Sequence, residues 1–429
     1  MIVFDHIAPK IVFQRDLTNK AVIPISGTAN GSKLLIRFTP LQGGELVEKS
    51  LVIINGYFSD NITVKNGDYE LTAKTETETK IINRVGVGDV IAFWGHSFLQ
   101  GGASTQNVTG NNSDLGRVLT ATNVQNQNAI PLQFDKITPT TKIGPFEGNC
   151  DFYGKLLDSL TTSLGVPVLL YNCCFGGSNI DQNYGVLNQI PFTHGFINYD
   201  QRMPFKPVEI LFERYVPITG LKCLCIEHGL NDRNVNGGND FKNQFEYILK
   251  YIRSNFNVQN LTYLLAKEGF NFAGNTIVKA QQIIIDTLPN TYKGMDFNNV
   301  STWENPVANL LACNGHPCGP GLDQLAKDWN TGINQNLANC TPIAPKTVAP
   351  LVEPQMEAYL TAPEIAPETN IDENKSLFNP IVWVSIAILL LSLIAIDKPK
   401  KLDEKSHSKR LKTSQVGICI VIVLLLIKN

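Results

Sequence analysis

From Val87 onward the chain alternates near-continuous apolar runs with amphipathic stretches, and this alternation restricts the fold more than any other feature. Val90-Ile91-Ala92-Phe93-Trp94, Val166 to Tyr171, Leu221 to Ile226 and Leu261 to Ala266 are four such runs. A strand that stays apolar along its length is buried on both faces, as in a parallel sheet. Between the runs, Phe241, Phe245, Leu249, Ile252 and Phe256 mark one face of a helix, and Asn275 to Leu288 and Leu322 to Leu337 read as further helices. Strand–helix alternation predicts an α/β domain over residues 87–340, a parallel sheet with helices on both faces in three layers. In such sheets a ligand sits beyond the carboxyl ends of the strands.

The flanking segments differ in kind. Residues 1–86 hold short β-branched or apolar runs, Ala21 to Ile25, Leu34 to Phe38 and Ser50 to Ile54, and Asn66-Gly67-Asp68 reads as a hairpin turn. This spacing predicts a small β-sandwich, either a structural adaptor or a carbohydrate-binding module. Residues 101–150 are rich in Gly, Asn, Thr and Gln and read as a long loop that shapes a pocket. Residues 341–376 carry Ala-Pro and Glu-Pro units, the composition of an extended linker. Phe378 to Ile396 is uncharged and long enough to cross a bilayer, which predicts a transmembrane helix over 377–397. A basic loop over 398–412 and a second apolar helix over 413–427 follow, the second short for a span. The basic loop would be cytoplasmic and the folded domain outside, although Met1 to His6 shows no signal peptide.

Composition narrows the function. A net charge of −2, with no basic stripe, argues against a nucleic-acid partner. The nine cysteines form no CxxC pair, so no zinc site is expected, and Cys173, Cys174, Cys223 and Cys225 read as buried small hydrophobes. Cys313 and Cys318 flank His316 and could pair in an oxidising compartment.

Four separated segments carry the chemistry: Gly95-His96-Ser97-Phe98, Phe175-Gly176-Gly177-Ser178, Gly229-Leu230-Asn231-Asp232 and Gly315-His316-Pro317. Each alone has a plainer reading, as a solvated turn serine, a glycine turn, a helix cap or an isolated histidine. Together they offer what ester cleavage needs: a nucleophile, a base and oxyanion donors. Three of them fall just after a predicted strand.

Their order, Ser, Gly, Asn, His, resembles that of the SGNH (GDSL-like) hydrolases, over roughly residues 87–340. Gly176-Gly177-Ser178 is similar to the glycine block of sialate O-acetylesterases and related carbohydrate acetylesterases. The resemblance implies a flavodoxin-like domain with Ser97 as nucleophile and His316 as base. It implies an oxyanion hole from the Ser97 and Gly176 N–H groups and the Asn231 side chain. His96, Phe98, Gly177, His228 and Asp232 then become candidates for the pocket wall. An O-acetylated glycan is the implied substrate, with no cofactor or metal. Two departures stand out. His96 and Phe98 replace the usual Gln and Asn, and Cys313 occupies the position of the usual triad Asp. A backbone carbonyl or Asp296 would then orient His316, or the protein is inactive. A glycan-binding or surface-assembly protein on a decayed esterase fold is the competing expectation.

Overall fold

The computed structural model describes residues 1–352 except 43–44, 102–108, 125–129, 236–237, 269–275, 299 and 304–307. The expected transmembrane helix, basic loop, second apolar helix and most of the linker lie outside the described residues. No helix among the described residues is long and apolar enough to cross a membrane.

The strand Thr79–Gly95 organises the molecule. Its carboxyl half pairs in parallel with Val168–Asn172 on one side and Cys223–Glu227 on the other. Tyr263–Lys267 and Thr291–Asp296 continue the parallel run. The five strands therefore lie in the order 2-1-3-4-5, the doubly wound order whose switch point lies beside the first strand. Gly116–Leu119 adds a further parallel strand from within the expected loop 101–150. The sheet is mixed rather than parallel throughout. Phe134–Asp135 runs antiparallel to Gly116–Leu119, and Gly67–Lys74 runs antiparallel to the amino half of Thr79–Gly95.

Alternation along the strands divides the core, as the pleat requires. Ile91, Phe93, Val168, Leu170, Cys223 and Cys225 face one side. There they meet Leu156 and Leu160 of helix Tyr153–Leu164 and Leu325 and Trp329 of helix Pro320–Asn336. Val90, Ala92, Trp94, Leu169, Leu224 and Ile226 face the other side, with Phe245 and Ile252 of helix Phe241–Asn255 and Ile277 and Ile284 of helix Thr276–Thr287. The four cysteines expected to act as small hydrophobes are buried.

The β-rich segment is built on the same long strand. Val3–Phe4, Lys20–Thr28 and Tyr57–Lys65 form one sheet. Lys33–Pro40, Val47–Val52 and Gly67–Lys74 extend the other, which continues into Thr79–Gly95. Position 86/87, the expected boundary, thus falls inside a continuous strand. Asn66-Gly67 is not a hairpin turn. Tyr57–Lys65 pairs with Lys20–Thr28, whereas Gly67–Lys74 pairs with Lys33–Pro40, so the chain changes sheets there. Gly67, at φ 149°, makes the corner. Asp68 anchors it by ion pairs to Arg84 and to buried Arg117, each at 2.6 Å. The start of the expected linker is docked: Ile343 bridges Leu221, and the Leu351 N–H donates to the Ser59 carbonyl at 2.7 Å.

Candidate active site

Ser97 opens the one-turn helix Ser97–Gln100 directly after the central strand. His96 is its N-cap, and its Nδ1 accepts the Phe98 N–H at 3.4 Å. Gly101, at φ 77°, ends the turn with its N–H on the Ser97 carbonyl at 3.2 Å.

Across the cleft, His316 Nε2 lies 2.9 Å from Ser97 Oγ. Its Nδ1 lies 3.2 Å from the Asn314 carbonyl oxygen. A carbonyl only accepts, so this contact places the ring proton on Nδ1 and leaves the Nε2 lone pair facing the Ser97 hydroxyl. Of the orienting groups considered above, the structure therefore supplies a backbone carbonyl. Asp296 is engaged elsewhere, accepting the Asn298 N–H at 3.0 Å. Cys313 is bonded to Cys318. Cys313 and His316 exchange backbone hydrogen bonds of 3.3 and 3.0 Å around Asn314-Gly315. Both of those turn residues have positive φ, 56° and 78°, the geometry of a tight hairpin.

A cavity of about 610 Å³ opens beside this pair. Phe98, Asn231, Arg233 and Trp303 line it with Ser97 and His316. Asn231 Nδ2 donates to the Ser178 carbonyl at 2.8 Å, which fixes the amide. The Gly176 N–H donates to Gln100 Oε1 at 2.6 Å. A Cβ on Gly176 would lie 3.6 Å from the Ser97 Cβ, so this backbone runs alongside the serine. Phe98 stands 5.3 Å from the His316 ring, centroid to centroid.

The other expected wall residues lie elsewhere. Gly177, at φ 73°, packs against the Phe196 ring. His96, His228 and Asp232 are buried beneath the cavity. His96 and His228 directly follow central strands and Asp232 opens the short turn Asp232–Asn234, and all three side chains are buried. His96 Nε2 lies 2.6 Å from Glu268 Oε1 and 3.8 Å from Glu227 Oε1. Burial, then the nearby Glu268, pushes the Glu227 carboxyl well above its usual range. Burial, then His96, pushes His228 well below its own. Burial first raises Asp232 to about 8, although its Oδ1 accepts the Ile180 N–H at 2.7 Å. Sequence reasoning missed Glu227, Glu268, Arg233 and Trp303. A carboxylate closing or following an apolar parallel strand was the available signal for the first two.

His96, Glu227 and Glu268 form the one group among the described residues whose donor atoms could surround a cation, all within 4.8 Å of one another. A cation on His96 Nε2 needs the ring proton on Nδ1, where the Phe98 N–H already points. The donor set does not present a metal site in this tautomer.

No protein-family description and no curated protein matches the chain. Among solved structures, a carbohydrate acetylesterase from Xanthomonas citri superposes with a TM-score of 0.52 at 16% identity, covering 79% of this chain and 76% of that one. The chain has the SGNH-hydrolase fold. A family two carbohydrate esterase from Cellvibrio japonicus is also similar, at 12% identity and a TM-score of 0.33, over 79% of this chain and 98% of that one.

Proposed function

We propose that the protein is a serine carboxylic ester hydrolase that removes O-acetyl groups from a carbohydrate, with sialate O-acetyl esters as the finer assignment. The observation that carries this reading is the 2.9 Å approach of His316 Nε2 to Ser97 Oγ, with Nδ1 committed to a carbonyl. In this mechanism Ser97 attacks the acetyl carbonyl while His316 takes its proton and passes it to the departing sugar hydroxyl. Water then hydrolyses the acetyl-enzyme. Asn231 and the Gly176 and Ser97 N–H groups stabilise the oxyanion, and Gln100 must first leave Gly176. Trp303 and Phe98 supply apolar wall for a sugar ring. The Cys313–Cys318 disulfide favours an oxidising compartment, which suits a domain outside the cytoplasm tethered by residues 377–397. Sedimentation of the full chain with membranes after an alkaline wash tests the tether.

A second reading, a glycan-binding protein without turnover, draws on one observation: Gly176 and Asn231 both donate to protein acceptors. The deciding experiment is release of acetate from p-nitrophenyl acetate and from O-acetylated sugars. Ser97→Ala is expected to remove on the order of 10⁴-fold or more of the turnover while the melting curve is unchanged. Equal turnover by wild type and variant would sink the hydrolase reading.

A further inference from the structure

A one-turn helix has too few hydrogen bonds of its own to hold a nucleophile in one place. Among the described residues, Ser97–Gln100 closes with the Gln100 and Gly101 N–H groups on the His96 and Ser97 carbonyls, at 2.9 and 3.2 Å. Tyr153 Oη and Asn172 Nδ2 hold the turn from one side, both donating to the Leu99 carbonyl, at 2.7 and 2.9 Å. At its start the support is the His96 side chain, and both ring nitrogens of His96 are committed. Nδ1 accepts from Phe98, so the ring proton sits on Nε2 and points to Glu268 Oε1 at 2.6 Å. Glu268 is itself clamped. Its N–H donates to Gln281 Oε1 at 2.8 Å, and Gln281 Nε2 donates to the Glu268 and His228 carbonyls at 3.0 and 2.8 Å. One glutamine from helix Thr276–Thr287 thus ties together the chain ends that follow strands Cys223–Glu227 and Tyr263–Lys267. The three side chains in this path, His96, Glu268 and Gln281, are fully buried.

We propose that His96 is a positioning residue for the nucleophile, held by Glu268, and that it sets where Ser97 stands relative to His316. The inference rests on the ester-hydrolase reading of Ser97. The path runs from the sheet through Gln281 and Glu268 to His96, and from His96 to the first turn and to Phe98, whose ring stands beside His316. Glu227 Oε1 stands 3.8 Å from Nε2, outside hydrogen-bond reach, so Glu268 Oε1 at 2.6 Å is the partner for Nε2–H. Neither His96 nor Glu268 lines the cavity among the described residues, so the device acts on the placement of the serine and not on substrate binding.

The test uses Glu268→Ala and Glu268→Gln in the full chain. Glutamine still offers an acceptor to Nε2–H and alanine offers none. The alanine variant should lose on the order of 10²-fold in kcat, the scale of an ångström of misplacement, with KM nearly constant. The glutamine variant should recover most of that loss, and both should keep the wild-type pH profile, since His316 is untouched. A merely structural role would lower the melting temperature while leaving kcat per fluorophosphonate-titrated site unchanged, and that result overturns the proposal. Ring ¹⁵N and ¹H spectra of the wild type supply a readout without substrate. A slowly exchanging His96 Nε2 proton, present in wild type and lost in Glu268→Ala, is expected. Protonation at Nδ1 overturns the proposal whether or not the protein cleaves esters. A wild type with this tautomer but neither turnover nor labelling sinks the hydrolase reading, and with it the nucleophile that His96 is held to place.

Discussion

The two partners of the candidate dyad meet at 2.9 Å but are held by different means. Ser97 stands at the end of a strand buried on both faces, over a floor of interlocked buried side chains. His316 stands in a tight turn, half exposed, between two cysteines joined to each other. On the serine side, position is the outcome of core packing spread over many strands and helices. On the histidine side it depends on a disulfide, a pair of backbone hydrogen bonds and one carbonyl. Disturbing the first should cost the fold as well as the chemistry. Disturbing the second should cost chemistry first.

The sharpest probe of the packed side is Asn231→Ala. Its amide lies on the cavity wall and is held by the Ser178 carbonyl. Removing one oxyanion donor typically lowers kcat by roughly 10²–10³-fold, and KM should hardly change. A rise in KM with kcat intact would make Asn231 a binding residue and remove it from the oxyanion hole.

The stapled side is broken by Cys313→Ser with Cys318→Ser, or by reductant alone. The loop so closed is short, and a disulfide across it is worth about 2 kcal/mol at most, so the melting curve should move little. The ring of His316 would gain freedom, and kcat should fall on the order of ten- to a hundredfold. Activity insensitive to both treatments would mean that the turn Asn314-Gly315 positions the ring unaided. Cys313→Asp should also lower activity and not raise it, because residue 313 is committed to Cys318 and not to the imidazole.

This contrast also explains what could be read from the sequence. The parallel strands, the helices and the meeting of Ser97, Asn231 and His316 at one cavity were legible because apolar runs and short motifs are local signals. Helix Phe241–Asn255 matches the stripe of Phe241, Phe245, Leu249 and Ile252. The burial of His96, His228 and Asp232 was not legible. Adjacency to a site residue does not say which way a side chain points, and the partners that draw these residues inward come from distant segments. Glu268 lies far along the chain from His96, and a lone carboxylate after a strand looks solvated. The unity of Thr79–Gly95 was hidden for a related reason. Its amino half is partly exposed, whereas Val90 to Trp94 are uniformly apolar and buried, so one strand spanning two environments reads as two elements.

The smallest effect on activity is expected from Asp232→Asn, which probes the packed floor through its pH dependence. Asp232 is raised from its ordinary value of 3.8 to about 8 by burial. Below about pH 4 the folded and unfolded chains both hold the proton, and this group does not oppose folding. Between about 4 and 8 the unfolded chain releases the proton while the folded chain keeps it. Stability then falls as pH rises, by up to about 1.4 kcal/mol per pH unit from this one group, and the loss is complete above about 8. Asparagine keeps an Oδ1 acceptor for the Ile180 N–H but has no proton to lose. The variant should therefore gain on the wild type in denaturant-unfolding free energy from pH 5 to pH 8, while kcat changes by no more than a few-fold because Asp232 is not on the cavity wall. If the stability difference is the same at both pH values, Asp232 ionises normally in the folded protein. The floor beneath Ser97 would then admit water, and the distinction between a packed side and a stapled side would weaken.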